Sequence, residues 1–197
     1  MDHRMDRRTL LRAGLVTGLG SVALGAAALS APVPLEATKT TLLIQQPWRW
    51  CKKCQGLSWW EGLPASKCPA GGLHVQSSSL PYYMYYSWDE GPSYWWQDQW
   101  RWCRRCQELS YNGGVLGWCP AGGRHDHAGS YNYFMSHDNP YLYVPRQNGW
   151  RFCEKCMGLF YGPGQDASWC PQADRHRASA SSFDYQLRYD PHGVVPN

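Results

Sequence analysis

The chain has 197 residues, a formal net charge of +4 and a mean hydropathy of −0.56. Its apolar content is concentrated in 12 Trp, 13 Tyr and 4 Phe, all at or after Trp48, which argues against one large aliphatic core. Residues 32–197 carry 15 Lys and Arg against 13 Asp and Glu, and three bound zinc sites would bring their net charge to about −1. This balance argues against a nucleic-acid-binding protein.

The first 31 residues have the pattern of an export signal. A basic segment that contains the pair Arg7-Arg8 precedes an uncharged stretch rich in Gly, Ala and Leu, and small residues near Ala31 offer a cleavage site. The paired arginines followed by Thr-Leu-Leu are typical of twin-arginine signals. We predict that residues 1–31 are a twin-arginine-type signal peptide, that residues 32–44 are a linker, and that the protein is secreted. An uncleaved membrane anchor is the alternative, but the stretch is shorter than the ~20 residues of a spanning helix.

Three repeats follow the linker. Each begins with Trp-Arg-Trp or Trp-Arg-Phe and then Cys-x-x-Cys, with the first cysteines at Cys51, Cys103 and Cys153. Each continues with a Cys-Pro pair and a His, so that the spacing is C-x2-C-x12/13-C-x5-H in all three. The repeat predicts three modules, at residues 45–97, 98–147 and 148–197.

The repeated cysteines and histidine have the spacing of a zinc site. A Cys-x-x-Cys turn places two sulfurs on one side of a tight loop, and a second ligand pair from another loop completes a tetrahedron. Four protein ligands leave no open position, which is the pattern of a structural site. We predict three structural zinc ions, with the ligands Cys51, Cys54, Cys68 and His74, then Cys103, Cys106, Cys119 and His125, then Cys153, Cys156, Cys170 and His176.

The cysteines and histidines also admit other interpretations. Disulfides suit an exported protein, but three cysteines per repeat leave one thiol unpaired in each. Iron is a further alternative to zinc, and His127 is an alternative to His125 as the ligand in the second repeat. Twin-arginine substrates cross the membrane folded, so zinc can be loaded in the reducing cytoplasm.

Hydropathy alternation predicts a mainly β fold of three tandem, small, zinc-ribbon-like antiparallel modules. One strand enters each Cys-x-x-Cys turn, a second leaves it, and a third follows the His with a period of two. The alternating positions of the third strands are Leu80, Tyr82, Met84 and Tyr86, then Tyr131, Tyr133, Met135 and His137, then Phe183, Tyr185, Leu187 and Tyr189. No helical period is sustained outside the signal, and the aromatic linkers indicate that the modules stack on one another.

The motif Trp-Arg-Trp-Cys-x-x-Cys-Gln-Gly-Leu, followed by Cys-Pro-Ala-Gly-Gly-x-His and Ser-x-Asn-Tyr, resembles a repeat of secreted actinobacterial and myxobacterial proteins. The resemblance covers roughly residues 45–190 and is strongest in the second repeat. The third repeat departs from it at Gln172, Ala173 and Asp174. The resemblance implies secretion and modular tandem use, and it implies no particular activity.

Aromatic residues fall into two groups. Positions that are aromatic in every repeat are predicted to form the core around the metal. Aromatic residues on the outward phase, or present in one repeat only, are candidates for ligand binding: Trp60, Tyr83, Tyr85, Trp88, Tyr94, Trp95, Trp96 and Phe160. Exposed clusters of rings mark interaction sites, and flat rings beside amides suit sugars. We therefore expect a non-catalytic module that binds extracellular or cell-wall polysaccharide. The alternative is a structural or protein-interaction repeat of the cell envelope, with these rings packed between units.

Catalytic motifs are absent from the sequence. It contains no Gly-x-Ser-x-Gly, no His-Glu-x-x-His, no phosphate loop and no cysteine outside the metal pattern. His125-Asp126-His127 is the only cluster of catalytic type, and His125 is assigned to a metal. A dithiol oxidoreductase remains the enzymatic alternative. We expect no enzyme, no nucleic-acid partner and no membrane attachment after signal cleavage, and the sequence indicates no particular oligomeric state.

Overall fold

The computed structural model describes residues 43–87 and 94–192, all of them in one compact unit. The predicted signal peptide, most of the predicted linker and Trp88 lie outside these ranges. Within the described ranges, no helix has the length and apolar character needed to cross a membrane.

The fold is mainly antiparallel β, and each repeat contributes three strands, as predicted. The strands are β1 (Leu43–Trp50), β2 (Leu57–Trp59), β3 (Tyr82–Ser87), β4 (Trp96–Trp102), β5 (Leu109–Tyr111), β6 (Asn132–His137), β7 (Arg146–Phe152), β8 (Leu159–Tyr161) and β9 (Tyr185–Tyr189). Helical structure in the described residues is limited to two short 3₁₀ segments, Leu63–Ala65 and Gly162–Ala167.

The same pairing recurs in every repeat. The first strand lies between the other two, with Trp48 opposite both Trp59 on β2 and Tyr82 on β3. A shift in register between Gln45 and Trp48 interrupts the pairing with β3, and equivalent shifts occur in β4 and β7. Such a bulge bends the first strand before it enters the metal loop.

The three repeats close on one another instead of forming a row. Strand β3 pairs with β6, β6 pairs with β9, and β9 pairs back with β3, all antiparallel. The short second strands meet in the same cyclic order. Trp59 N donates to Gln107 O at 2.8 Å, Tyr111 N to Met157 O at 2.8 Å, and Tyr161 N to Gln55 O at 2.9 Å. The repeats are therefore arranged around an approximate threefold axis.

One core serves all three repeats. Each repeat contributes the same four buried positions, namely Trp48, Leu57, Tyr82 and Met84, then Trp100, Leu109, Tyr133 and Met135, then Trp150, Leu159, Tyr185 and Leu187. The remaining repeated aromatic positions pack against this cluster at partial burial. The prediction that aromatic residues shared by every repeat form a core is confirmed, but this core is shared between the repeats and is separate from the three cysteine clusters, whereas a core around each metal was expected.

A tyrosine from each repeat links it to its neighbour. Tyr82 Oη donates to Gln147 Oε1 at 2.5 Å, Tyr185 Oη donates to Gln97 Oε1 at 2.6 Å, and Tyr133 Oη donates to Gln45 Oε1. Each tyrosine ring also makes an edge contact with the first Trp of that neighbour, at centroid distances of 5.2 to 5.3 Å. Burial raises the pKa of all three tyrosines above the ordinary value, which keeps the hydroxyls protonated and able to donate.

Candidate metal centres

Three groups of three cysteines and one histidine are each brought together in a buried cluster. The groups contain the twelve side chains that the sequence pattern selects, and their ligand atoms lie within 4.8 Å of one another. All nine cysteines are free thiols and none forms a disulfide. Three clusters of the same composition also show that the chain is a tandem repeat.

The interatomic distances fit a small tetrahedral ion. A zinc ion with bonds of about 2.3 Å to sulfur and 2.0 to 2.1 Å to nitrogen sets sulfur atoms about 3.8 Å apart and sulfur and nitrogen about 3.6 Å apart. The Sγ atoms of Cys51 and Cys68 are 4.0 Å apart, and those of the equivalent pair in the second repeat are 3.8 Å apart. In each cluster the second cysteine lies 3.4 to 3.5 Å from Nδ1 of the histidine.

The donor set points to a soft or borderline divalent cation held by protein ligands alone. Three thiolates and one imidazole are the ligand set of structural zinc sites. Zinc would be held by Sγ of each cysteine and Nδ1 of each histidine, and it would supply a cross-link between two loops. No side chain in these clusters is a carboxylate that would favour a hard cation.

The pKa values of the ionisable groups in each cluster shift in different directions, and burial raises the pKa of the second cysteine, Cys54 in the first repeat, well above its ordinary value. Hydrogen bonds from Cys54 and Cys68 hold the pKa of Cys51 far below its usual range. Burial disfavours the imidazolium of His74, but hydrogen bonds with Cys51 and Cys68 outweigh it and raise the pKa of His74 to about 10. The same pattern recurs in the other two repeats. A divalent cation would replace these protons and satisfy the same thiolates.

The first metal loop has one geometry in all three repeats. The first cysteine N–H donates to the carbonyl five residues on, and the residue after the second cysteine donates back to the first cysteine carbonyl. That residue has a positive φ although it is not glycine, at 68° for Gln55, 70° for Gln107 and 60° for Met157. This left-handed residue turns the chain so that both sulfurs lie on the same side.

The second metal loop varies where the third repeat departs from the motif. In the first two repeats the last glycine of Cys-Pro-Ala-Gly-Gly, Gly72 or Gly123, has a positive φ and its carbonyl accepts from the cysteine N–H. In the third repeat Asp174 occupies this position with a φ of 51°, and its carbonyl accepts from Cys170 N at 3.0 Å. The closing hydrogen bond is therefore retained without glycine.

Basic side chains tie the two metal loops together. Lys155 Nζ donates to the Ala173 carbonyl at 2.6 Å, and Arg105 Nη2 donates to the Ala121 carbonyl at 2.8 Å. Lys53 makes the equivalent bond to the Gly71 carbonyl. Lys53, Arg105 and Lys155 thus have a defined structural contact beyond any compensation of thiolate charge.

In the first two repeats the metal histidine directs Nδ1 to its own cluster and Nε2 to the next repeat. His74 Nε2 lies 3.3 Å from the Cys106 carbonyl, and His125 Nε2 lies 3.2 Å from the Cys156 carbonyl. The Nε2 atom of His176 is buried and has no hydrogen-bond partner among the described residues. A hydrogen bond at the second ring nitrogen orients a metal-bound imidazole, so two of the sites are oriented by a neighbouring repeat.

The structure distinguishes the two histidines of the second repeat. His125 lies in the metal cluster, whereas His127 Nε2 lies 2.7 Å from Ser110 Oγ and its Nδ1 lies 3.2 Å from Asn112 Oδ1. Burial lowers the pKa of His127 to about 4 and keeps the ring neutral. The matching spacing therefore selected the correct histidine.

One buried carboxylate lies among the clusters. Glu108 occupies the position of Gly56 and Gly158 in the other repeats, and its Oε1 is 3.7 Å from both Cys54 Sγ and His74 Nε2. Burial raises its pKa. The sequence shows this residue as a departure from the Gln-Gly-Leu motif, and the small Gly56 opposite it leaves the space that its carboxylate fills.

Two of the predicted ligand-binding aromatics are buried, and this part of the prediction is wrong. Phe160 is fully buried and stacks on the His176 ring at 4.8 Å, because repeat 1 covers the outer side of β8 at Gly56. Tyr83 is 6% exposed and lies beneath the guanidinium of Arg188, 5.0 Å from its ring centroid. The alternation in β3 predicts one solvent face, but Arg188 from the third repeat covers that face at Tyr83.

The other predicted aromatics differ in exposure. Tyr85 and Trp96 are half-buried and make an edge contact with each other at 5.3 Å. Trp95 is half-buried beside Tyr94, which is 80% exposed, and Trp60 is 43% exposed. Of the candidates within the described ranges, only Tyr94 and Trp60 are exposed, and the guanidinium of Arg49 lies over the Trp60 ring at 5.6 Å from its centroid.

Four exposed aromatic residues are not among the predicted ligand-binding residues. Trp118 and Trp169 directly precede the third cysteine of their repeats, and an arginine from the same loop lies over each ring. Tyr141 and Tyr143 lie between β6 and β7 and are 69% and 87% exposed. The sequence does contain a signal for Trp118 and Trp169, because the first repeat has Lys67 at the same position and the tryptophan is therefore not part of the shared core.

Comparison with known proteins finds no matching family model, no matching curated protein and no matching solved structure. The assignment of metal centres therefore depends on the geometry of the three clusters and on their repetition within the chain.

Proposed function

We propose that this chain is an exported, non-catalytic repeat protein in which three structural zinc ions hold the fold and exposed aromatic rings bind extracellular or cell-wall polysaccharide. The observation that carries the zinc part is the convergence of three cysteines and one histidine in each of three buried clusters. Each cluster has its four ligands from the protein, which leaves no coordination position for a substrate.

Export is supported by the twin-arginine-type pattern at the N-terminus and by the resemblance to the secreted actinobacterial and myxobacterial repeat. Zinc loading before translocation would protect nine thiols from oxidation outside the cell, because metal-bound thiolates within a buried cluster are inaccessible.

Polysaccharide binding is supported by rings that the core does not use. Tyr94 and Trp60 are exposed, and Trp95 extends the surface beside Tyr94. Exposed rings offer flat apolar faces to the C–H faces of pyranose rings, whose hydroxyls then bond to water and to nearby amides.

Depletion by insoluble glycans tests this binding. We expect cell-wall or other insoluble polysaccharide to remove the zinc-loaded protein from solution, and Tyr94→Ala and Trp60→Ala to weaken retention. Tyr143→Ala is the matched control, because Tyr143 is an equally exposed linker tyrosine outside the proposed surface. Retention of none of the proteins by any of a broad panel of glycans would overturn the proposal.

The structural alternative has its own outcome in the same experiments. An envelope repeat that joins chains would assemble with rising protein concentration in the absence of glycan, which analytical ultracentrifugation measures. Assembly without glycan retention would favour the structural or protein-interaction function over polysaccharide binding.

A further inference from the structure

A narrow cleft with aromatic walls lies between the first and second repeats. Its volume is about 130 Å³, and its lining consists of four aromatic side chains, one amide and one glycine: Trp59, Trp102, Tyr131, Tyr133, Gln45 and Gly129. No charged side chain lines it. Gly129 has a φ of 77° and no atom within 4 Å of where a Cβ would stand, so the cleft is open on that side.

The equivalent position between the second and third repeats is closed by its own rings. Tyr111 and Phe152, the counterparts of Trp59 and Trp102, contact each other at a centroid distance of 5.7 Å. Phe183, the counterpart of Tyr131, stacks on His137 at 3.8 Å, and Tyr131 likewise stacks on Tyr86 at 4.2 Å, so the two junctions differ in the contact between Tyr111 and Phe152. Between Trp59 and Trp102 the described structure has no such ring contact, and the cleft occupies the space between them.

The junction of the third and first repeats lacks part of the wall. Leu80 stands where the first junction has Tyr131, and Ser78 stands where it has Gly129. In the described part of the chain, only the junction of the first and second repeats has four rings around an opening, so the cleft does not follow from the repeat alone.

Gln45 also differs from its counterparts. Gln97 and Gln147 each accept a hydrogen bond from the indole N–H of their own repeat, at 3.1 and 3.0 Å. Gln45 Oε1 accepts only from Tyr133 in the described structure, and the buried Trp48 Nε1 has no partner there. The Gln45 side chain lines the cleft instead of covering the indole N–H of Trp48.

We propose that this cleft binds a trimethylammonium group of the choline type. Aromatic rings attract a cation through their negative faces, and quaternary ammonium groups need no hydrogen-bond acceptor, so a cage of rings without a carboxylate suits them. The volume is well below the roughly 300 to 1,000 Å³ of sites for larger ligands, which favours a compact group over a sugar chain. This site goes beyond polysaccharide binding and stands whether or not glycans are retained.

Tryptophan fluorescence titration of the full zinc-loaded chain tests the proposal, since two indoles line the cleft. We expect a saturable change with tetramethylammonium and with choline. The neutral isostere 3,3-dimethyl-1-butanol has the same shape without the charge, and it should bind at least about tenfold more weakly. Equal binding of the isostere, or no saturation by choline, would overturn the proposal, as would saturation by a monosaccharide in its place.

Trp102→Leu and Trp50→Leu form a matched pair of variants. Trp102 Nε1 donates to Gln107 Oε1 at 3.0 Å and Trp50 Nε1 donates to Gln55 Oε1 at 3.0 Å, so each substitution removes the same structural bond. Only Trp102 lines the cleft. Choline binding should fall at least about tenfold in Trp102→Leu and stay unchanged in Trp50→Leu. Equal effects of the two would contradict the site, and the isostere comparison on the unmodified chain decides the matter if either variant fails to fold.

Two sources of the group are distinguished by separate arms. Co-sedimentation with phosphatidylcholine vesicles indicates a lipid headgroup, whereas binding of free choline without vesicle binding indicates a soluble or wall-linked ligand.

Discussion

At the scale of single residues, comparison of the repeats shows which unique residues differ for reasons of packing and not of function. In the first repeat Ser58 contributes no aromatic ring to the core. Its Oγ accepts a hydrogen bond from Gln76 Nε2 at 2.7 Å. In the third repeat the equivalent pair is Phe160 and Ala178, which pack together beside the metal cluster. The pair Phe160 and Ala178 thus takes the place that the polar pair Ser58 and Gln76 has in the first repeat, at a similar combined volume. This exchange explains why a residue unique to one repeat is buried.

The exchange predicts a compensating pair of substitutions. Ser58→Phe alone should lower the free energy of unfolding by about 1 to 3 kcal/mol, because the ring collides with Gln76. Adding Gln76→Ala should recover much of that loss by making the space that Ala178 leaves in the third repeat. Denaturant unfolding of both variants measures the difference. A double variant as unstable as the sum of the two single ones would contradict the interpretation.

At the scale of elements, each metal loop is fixed partly by the repeat beside it. Each of the short strands β2, β5 and β8 donates to the residue after the second cysteine of another repeat, in a cycle. The imidazoles of His74 and His125 reach the cysteine carbonyls of the next repeat. A repeat without its metal would therefore lose its own loops and also withdraw support from the adjoining site. The metal sites are expected to be coupled in stability.

Removal of one ligand tests this coupling. His125→Ala should reduce bound metal by more than one ion per chain and lower the thermal stability of the whole domain in a single transition. Metal analysis together with calorimetry measures both, and Arg104→Ala is the control, because its ion pair with Asp126 is exposed and contributes little. Loss of one ion with two separate transitions would show that the repeats fold independently.

At the scale of the whole molecule, the closed arrangement of three repeats replaces a large aliphatic core. The third strands form a complete cycle, and three tyrosine hydroxyls join neighbouring repeats at the buried interfaces. Each of these hydroxyls must stay protonated to donate. The pairing of β3 with β9 joins the first and third repeats in the same structure.

The tyrosines predict alkaline unfolding. Burial raises the folded-state pKa of Tyr82, Tyr133 and Tyr185, so their contribution is complete below the ordinary pKa of about 10 and is lost as the pH rises above it. Each can reduce the free energy of unfolding by up to about 1.4 kcal/mol per pH unit there. Denaturant unfolding at increasing pH, with tyrosinate absorbance, measures this. Ionisation of every tyrosine at the ordinary pKa in the folded protein would contradict it.

The sequence predicted much of the metal chemistry and less of the architecture. The spacing identified the twelve ligand candidates and the shared aromatics identified the core, because both repeat within the chain. The closure of β3, β6 and β9 was not predictable, since alternation shows which side of a strand is buried and not which edges meet. Tyr83 was misplaced for the same reason: its outward phase faces Arg188 from another repeat, which no local pattern reveals.

We propose that three structural zinc ions contribute most to the stability of this fold, and metal analysis of the purified full chain tests that proposal most directly. We expect close to three zinc per chain, with loss of the folded state when a strong chelator removes them, since structural zinc contributes on the order of 10 kcal/mol of apparent binding energy in small domains. Protein that contains no metal and carries oxidised cysteines, or that keeps its fold after complete zinc removal, would contradict the account.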